Sequence, residues 1–329
     1  MSLKTIPILL VFLFMIFSAY GQSKQPSKVI FDTDMGPDYD DVGAIALLHS
    51  FADQGEIEIL ATIASTKYEG VAAVLNVLNT YFERPEVPIG VPKAKAIEQK
   101  DWQHWTDTLI AKYPHRIQKN KDAPDAVALY RKVLADQKDG SVTIITVGFL
   151  TNISNLLQSA PDEYSPLTGL ELVKQKVVKL VSMAGKFPEG SEFNVNQDAP
   201  SSQFAIANWP KPLIYSGFEI GEQIHTGIPL ITNKKIKNSP VKDAFSIAIP
   251  MADEDKNGRM SWDQTAVYVA ALGHEKYFYL EQGKMIVADD GSNTWDKAGE
   301  GQFRLVGKQN MVEIEKEINK LMMHQPKKK

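Results

Sequence analysis

Five aspartates fall within ten residues near the start of the chain, where a strand hands over to a helix. Lys28-Val29-Ile30-Phe31 leads into Asp32-Thr33-Asp34-Met35-Gly36-Pro37-Asp38-Tyr39-Asp40-Asp41, and Val42-Gly43-Ala44-Ile45-Ala46-Leu47-Leu48 leads out. An apolar β-branched run enters and an apolar helical run leaves, so the acids sit on the turn of a β–α unit. One such Asp is accounted for as a helix N-cap and a second by the positive helix end. Gly36 and Pro37 mark the turn itself. Asp32, Asp34, Asp38, Asp40 and Asp41 have no Lys or Arg among them. Carboxylates this close raise one another's pKa unless a positive partner joins them. A hard divalent cation with oxygen ligands is the simplest such partner. In open α/β sheets, sites form at the carboxyl ends of strands, and this cluster falls at one.

The β–α alternation continues. Strands are expected at Val29–Phe31, Ile57–Ile63, Val142–Val147, Val177–Met183 and Leu213–Tyr215, and helices at Val42–Phe51, Gly70–Phe82, Ala123–Ala135, Leu150–Ser159 and Ser201–Asn208. This predicts an α/β fold, a single domain with an open, mainly parallel sheet flanked by helices. After Asn233 the pattern changes. A helical stretch at Thr265–Leu272 precedes an expected hairpin with arms Met285–Ala288 and Gln302–Val306 and a turn around residues 289–293, then an amphipathic helix at Met311–Met323. A length of 329 residues with 43% hydrophobic content suits one large α/β domain or two small ones with an ample core, and no linker stretch separates two. The net charge of -4 argues against a partner with a nucleic-acid backbone.

Lys4 precedes an unbroken apolar stretch from Ile6 to Phe17, followed by small residues at Ala19 and Gly21. This is the pattern of a secretory signal peptide over residues 1–21, short in its apolar part for spanning a bilayer, with an uncleaved anchor as the alternative. Residues 22–27 form a polar leader, 28–324 the folded domain and 325–329 a basic tail. The chain is thus expected to be exported, periplasmic or secreted, with no stable membrane anchor after cleavage. With no cysteine, neither disulfides nor thiolate chemistry is available.

Three further segments join the aspartate turn: Val147-Gly148-Phe149-Leu150-Thr151-Asn152; Met183-Ala184-Gly185 with Glu192-Phe193-Asn194 and Asp198; and Trp262-Asp263 opening a helix with Ala266. In this order the four blocks resemble those of the nucleoside hydrolases of the inosine/uridine-preferring type. That family carries Asp-x-Asp-x-Gly…Asp-Asp, Gly-Pro-Leu-Thr-Asn, Met-Gly-Gly…Glu-Phe-Asn…Asp and a second metal-binding aspartate. Pro37 and Asp38 lengthen the first block, Phe149 replaces Pro, and Trp262 stands where many members carry His. The resemblance covers residues from about 28 to 320.

The resemblance implies a nucleoside N-ribohydrolase with a small-molecule nucleoside substrate. Asp34, Asp41, Asp263 and the backbone carbonyl of Thr151 would hold one Ca²⁺. Asp34 would also take a proton from the attacking water, and Asp40, Glu192 and Asn194 would bind the ribose hydroxyls. Phe193, Trp262 and Asp263 complete the implied substrate site. The resemblance assigns Asp38 no role and Asp32 a supporting one. A Trp cannot usefully protonate a leaving base but can stack on a purine, so purine nucleosides are the expected substrates. Asp101-Trp102-Gln103-His104-Trp105 supplies either a second aromatic wall or the buried face of a surface helix. A homo-oligomer, dimer or tetramer, is compatible with these features.

Three other readings compete. Residues 253–264 nearly fit an EF-hand loop, but Gln264 stands where a bidentate Glu is required. Asp32-Thr33-Asp34 also resembles the opening of a haloacid-dehalogenase phosphatase, which would make Asp32 the nucleophile, but the Lys and later acidic pair such an enzyme requires have no clear place in this chain. An exported sugar- or nucleoside-binding protein on the same fold is the non-enzymatic alternative.

Overall fold

Strands form where aliphatic residues run without interruption, because a parallel sheet covered on both faces exposes neither side of its strands. The computed structural model describes residues 25–309 and 311–326. The expected signal peptide, Gln22–Lys24 of the leader and Lys327–Lys329 of the tail lie outside them. The strands are β1 (Ser27–Thr33), β2 (Ile57–Ala64), β3 (Ile89–Gly90), β4 (Val142–Thr146), β5 (Val177–Met183), β6 (Glu189–Ser191), β7 (Leu213–Ser216), β8 (His225–Thr226), β9 (Arg259–Met260), β10 (Phe278–Val287), β11 (Ser292–Asp296) and β12 (Gln302–Gly307). Ten of them form one sheet in the order β3-β2-β1-β4-β5-β7-β12-β10-β11-β6. Pairing is parallel from β3 to β12 and antiparallel from β12 to β6.

Side chains alternate across the sheet with period two. Val29 and Phe31 of β1 enter one core with the helices Asp40–Gln54, Val71–Tyr81, Trp262–Leu272 and Met311–Met322. Ile30 enters the opposite core with the helices Ala126–Ala135, Thr151–Gln158, Gly169–Lys176 and Ala199–Asn208. The fold is therefore the expected single α/β domain, a mainly parallel sheet between two helical layers. Among the described residues no helix is long and apolar enough to cross a membrane.

The C-terminal hairpin differs from expectation. Met285 and Val287 pair with Trp295 and Asn293 of β11, a strand the sequence pattern did not reveal. Gln302–Val306 pairs with the earlier half of β10, from Tyr279 to Gly283, and with β7 in parallel. β10 is long enough to serve two partners, and its polar residues Glu281, Gln282 and Lys284 hid that length from a reading based on apolar runs. The helix expected from Ala123 begins at Ala126, because Asp125 accepts hydrogen bonds from the backbone N–H groups of Val127 and Ala128 and so caps it.

His49, buried in the helix after the aspartate turn, lies 3.0 Å from Asn79 Oδ1 and stacks on Phe82 at 4.7 Å. Burial, helped by the nearby Arg84 charge, lowers its pKa from 6.5 to about 3. Below pH 6.5 the unfolded chain binds a proton here that the folded chain refuses. This site therefore withdraws stability as pH falls from 6.5 toward 3, by up to about 1.4 kcal/mol per pH unit. Urea midpoints across this window should show His49→Gln losing less stability than the wild type on acidification. Parallel curves for the two proteins would assign the pH dependence to other groups.

Candidate active site

The carboxyl ends of four neighbouring strands converge on one cavity. Asp34 follows β1, Val147 follows β4, Met183 ends β5 and Phe218 follows β7, and all four residues line it. Register brings them level: Asp32 pairs with Thr146, Thr146 with Ser182, and Ser182 with Tyr215. Gly148 allows the β4 end to come this close, since a Cβ there would collide with the backbone nitrogen of Asp34 and with Ser65 Oγ.

Glu192, Phe193 and Asn194 form a second wall. Glu192 is only 4% exposed. It caps the helix Phe193–Gln197, accepting from the backbone N–H groups of Asn194 (2.7 Å) and Val195 (3.2 Å), and from that of Gly185 (3.0 Å). Burial raises its pKa although these three donors pull the other way. Asn194 Nδ2 donates to the carbonyls of Val147 and Met183, both at 3.3 Å, and so ties this wall to β4 and β5.

The third wall is the start of the helix Trp262–Leu272, where Trp262 and Asp263 both face the cavity. The Trp262 indole N–H donates to the Phe218 carbonyl at 2.8 Å, and the two rings lie 5.1 Å apart at 31°. The Asp263 backbone N–H donates to Asp40 Oδ2 at 3.3 Å.

The acids are concentrated here. Asp38, Asp40 and Asp263 each bring a carboxylate oxygen within 4.8 Å of the others. Burial first, and neighbouring negative charge second, raise Asp34, Asp41 and Asp263 well above the usual carboxylate range. The same two causes push Asp40 up to about 8, against the pull of Arg259. Asp41 Oδ1 accepts the Thr33 hydroxyl, while its Oδ2 is buried without a hydrogen-bond partner. A buried carboxylate oxygen left bare is costly. The orphaned oxygen and an all-oxygen donor set both fit a hard cation at this acidic cluster. Of the carboxylates expected as ligands, Asp34, Asp41 and Asp263, only Asp263 belongs to the trio that converges within 4.8 Å, and Asp38 and Asp40 complete it.

Of the residues expected from the sequence, Asp34, Asp40, Glu192, Phe193, Asn194, Trp262 and Asp263 line the cavity. Asp41 is buried beside Asp34 and Asp40, whose charges act on it. Thr151 opens its helix with its hydroxyl donating to Asp198. Asp32 is fully buried behind the turn, held by Tyr130 Oη (2.8 Å) and Asn152 Nδ2 (3.0 Å), with burial pushing it up to about 7. It cannot serve as the exposed nucleophile a phosphatase of the dehalogenase type needs. The segment 101–105 divides: Trp105 belongs to the core, while Trp102 is 58% exposed beside an adjoining hollow that Asp38, Phe193 and Arg259 also line.

One charged neighbour of the acidic turn is not among the expected residues. Arg259 Nη2 lies 2.9 Å from Asp38 and 3.0 Å from Asp40, so the acidic turn has a resident cation as well as room for a metal. Asp38, to which the resemblance gave no role, is this arginine's partner. The near-EF-hand segment instead folds as a short 3-10 turn at Asp253–Asp255, then β9, and its Asp255 accepts from Tyr39 Oη at 2.6 Å. The available signal was an Arg four residues before Asp263, in a segment that also carries Asp253, Glu254, Asp255 and Lys256.

A family model described as inosine-uridine preferring nucleoside hydrolase matches residues 29–322. The chain belongs to that family. Its members are hydrolases acting on N-glycosyl compounds. An uncharacterized protein of Schizosaccharomyces pombe is 27% identical over 213 residues, covering 60% of this chain. The chain spans 63% of the length of that curated relative. Among solved structures, an inosine-uridine preferring nucleoside hydrolase from Bacillus anthracis superposes with a TM-score of 0.69 at 15% identity, covering 90% of this chain and 99% of that one. A purine-preferring ribonucleoside hydrolase from Gardnerella vaginalis gives 0.67 at 17% identity, with the same coverage of both chains. A plant nucleoside hydrolase gives 0.66 at 17% identity, covering 91% and 98%. At these identities the likeness establishes the fold.

Proposed function

We propose that this nucleoside hydrolase family member is an exported, Ca²⁺-dependent N-ribohydrolase that cleaves purine nucleosides to ribose and free base. The observation that carries the reading is the cavity itself, whose lining combines the carboxylates Asp34, Asp40, Glu192 and Asp263 with the aromatic rings of Phe193, Phe218 and Trp262. Asp34 takes a proton from the attacking water as its oxygen bonds to the anomeric carbon. The bond from that carbon to the base nitrogen breaks, its electron pair leaves with the base, and the base takes up a proton from solvent, which balances the proton passed to Asp34. Positive charge develops on the sugar ring, and the carboxylates of Asp40 and Glu192 surround it with the opposite sign. Asp40, Glu192 and Asn194 orient the sugar through its hydroxyls. A bound Ca²⁺ would lower the pKa of the water and fix its position.

The wild type should release free ribose from inosine, and EDTA should stop it. Hydrolysis of p-nitrophenyl phosphate in place of inosine would point to a phosphatase. Tight nucleoside binding without turnover would point to a transport or sensing protein.

The purine preference rests on Trp262. Its N–H is committed to the Phe218 carbonyl, so the indole has no proton to give a leaving base and acts through its ring. A purine offers the larger face, and aromatic stacking contributes about 0.5–1.5 kcal/mol beyond burial. Trp262→Ala is expected to lower kcat/KM on inosine roughly tenfold, and much less on uridine. Equal losses on both, or a wild-type preference for uridine, would reduce Trp262 to packing.

Export follows from the apolar N-terminal stretch. Mass spectrometry of protein from its native host should find a mature start near Gln22. An intact 1–21 segment would remove the signal peptide.

A further inference from the structure

We propose that Arg259 is a positioning residue for the sugar-facing carboxylate Asp40 and that it links the sugar side of the cavity to the Trp262 side. The inference rests on the proposed ribohydrolase reading, in which Asp40 binds ribose.

Arg259 is 11% exposed and reaches the site from β9, which pairs antiparallel with β8. Gly258 makes that delivery possible. It has φ +115°, and a Cβ there would lie 2.8 Å from the Thr226 carbonyl oxygen. The guanidinium then meets three acids. Nε and Nη2 both donate to Asp40 Oδ1, at 3.2 and 3.0 Å. Nη2 also lies 2.9 Å from Asp38 Oδ2, and Nη1 lies 3.7 Å from Asp255 Oδ2. Its central carbon lies 5.2 Å from the Tyr39 ring centre and 5.0 Å from that of Trp262.

The geometry goes beyond neutralisation. The fork fixes the place of Asp40 Oδ1, and with the Asp263 N–H on Oδ2 the two ends together set that carboxylate's rotation. The other oxygen takes the Asp263 N–H and keeps a second lone pair for a ligand in the cavity that Asp40 lines. Asp38 shares Nη2 with Asp40, and Asp255 lies beside Nη1 on the far side, so acids flank the guanidinium on both edges. The contact with Trp262 gives the same group a hold on the aromatic wall. A lysine would keep the charge but not the fork, because one ammonium cannot address these acids in a plane while lying against two rings.

The test is Arg259→Lys, with three measurements: calorimetric titration of free ribose into the Ca²⁺-loaded protein, titration of Ca²⁺ into chelator-treated protein, and steady-state kinetics on inosine. Ribose affinity is expected to fall at least about tenfold and the KM for inosine to rise at least about tenfold, with a smaller loss in kcat. Ca²⁺ affinity and the melting temperature should stay close to wild type. In Arg259→Ala, added guanidinium should restore at least about fivefold in ribose affinity, and it should do nothing for the wild type. Wild-type ribose affinity in Arg259→Lys would overturn the inference. So would a loss of Ca²⁺ binding in step with ribose, since Arg259 would then be acting through the metal site or the fold. If the wild type itself neither binds ribose nor releases it from inosine, the ribohydrolase reading falls and takes this inference with it.

Discussion

Asp34→Asn is expected to reduce ribose release from inosine by at least about a thousandfold, the upper range for loss of a positioned general base. The amide matches the carboxylate in shape but cannot take up the proton of the attacking water. The fold should survive, because Asp34 is held in a cluster of like charges. Burial, and then the charge of Asp38, already raise its pKa well above the ordinary range. Replacing one repelling carboxylate by a neutral isostere removes an unfavourable term, so the melting temperature of the metal-free variant should equal or exceed that of the metal-free wild type. Single-turnover assays at saturating Ca²⁺, with metal content measured alongside, separate the base role from metal binding. Ribose release near the wild-type rate would remove Asp34 from the chemistry.

Removing the metal should have the second largest effect. Chelation is expected to abolish turnover and to lower the melting temperature. A ligand at a hundred times its dissociation constant stabilises the native state by about 2.7 kcal/mol. The loss should be reversed by Ca²⁺, whose preference for oxygen ligands matches the all-carboxylate cluster. Asp263→Ala should weaken Ca²⁺ binding before it alters the chemistry, so that excess Ca²⁺ restores part of the activity. Asp263 brings an oxygen within 4.8 Å of Asp38 and Asp40, and the charges of Asp40, Asp41, Asp38 and Asp34 all act on it. Unchanged Ca²⁺ affinity in Asp263→Ala would refute the ligand assignment, and Zn²⁺ in the purified protein would refute the choice of ion.

The sequence by itself determined what is local. Apolar runs of strand length, the periodic runs of the expected helices and the aspartate turn are properties of neighbouring residues, and each was found within a few positions of where it was expected. The sheet class followed, because alternating β and α segments have few ways to bury both faces. The four site blocks could be recognised for the same reason, since each is a short segment at the end of one strand or the start of one helix. The long-range pairings could not be recognised in this way. β10 was mistaken for one arm of a simple hairpin because its partners are chosen by the whole sheet, and β12 completes the parallel array beside β7. The acidic turn was expected to depend on a metal alone for its counter-charge. The structure adds Arg259, which is 219 residues from Asp40 in the chain, and joins Asp255 to Tyr39 across 216. Such a contact leaves no periodicity or local composition to read. It exists only once the helix Trp262–Leu272 packs against the helix Asp40–Gln54 and brings the loop before it over the turn. Tertiary packing therefore decided which charges face one another and which oxygens stay free for a ligand.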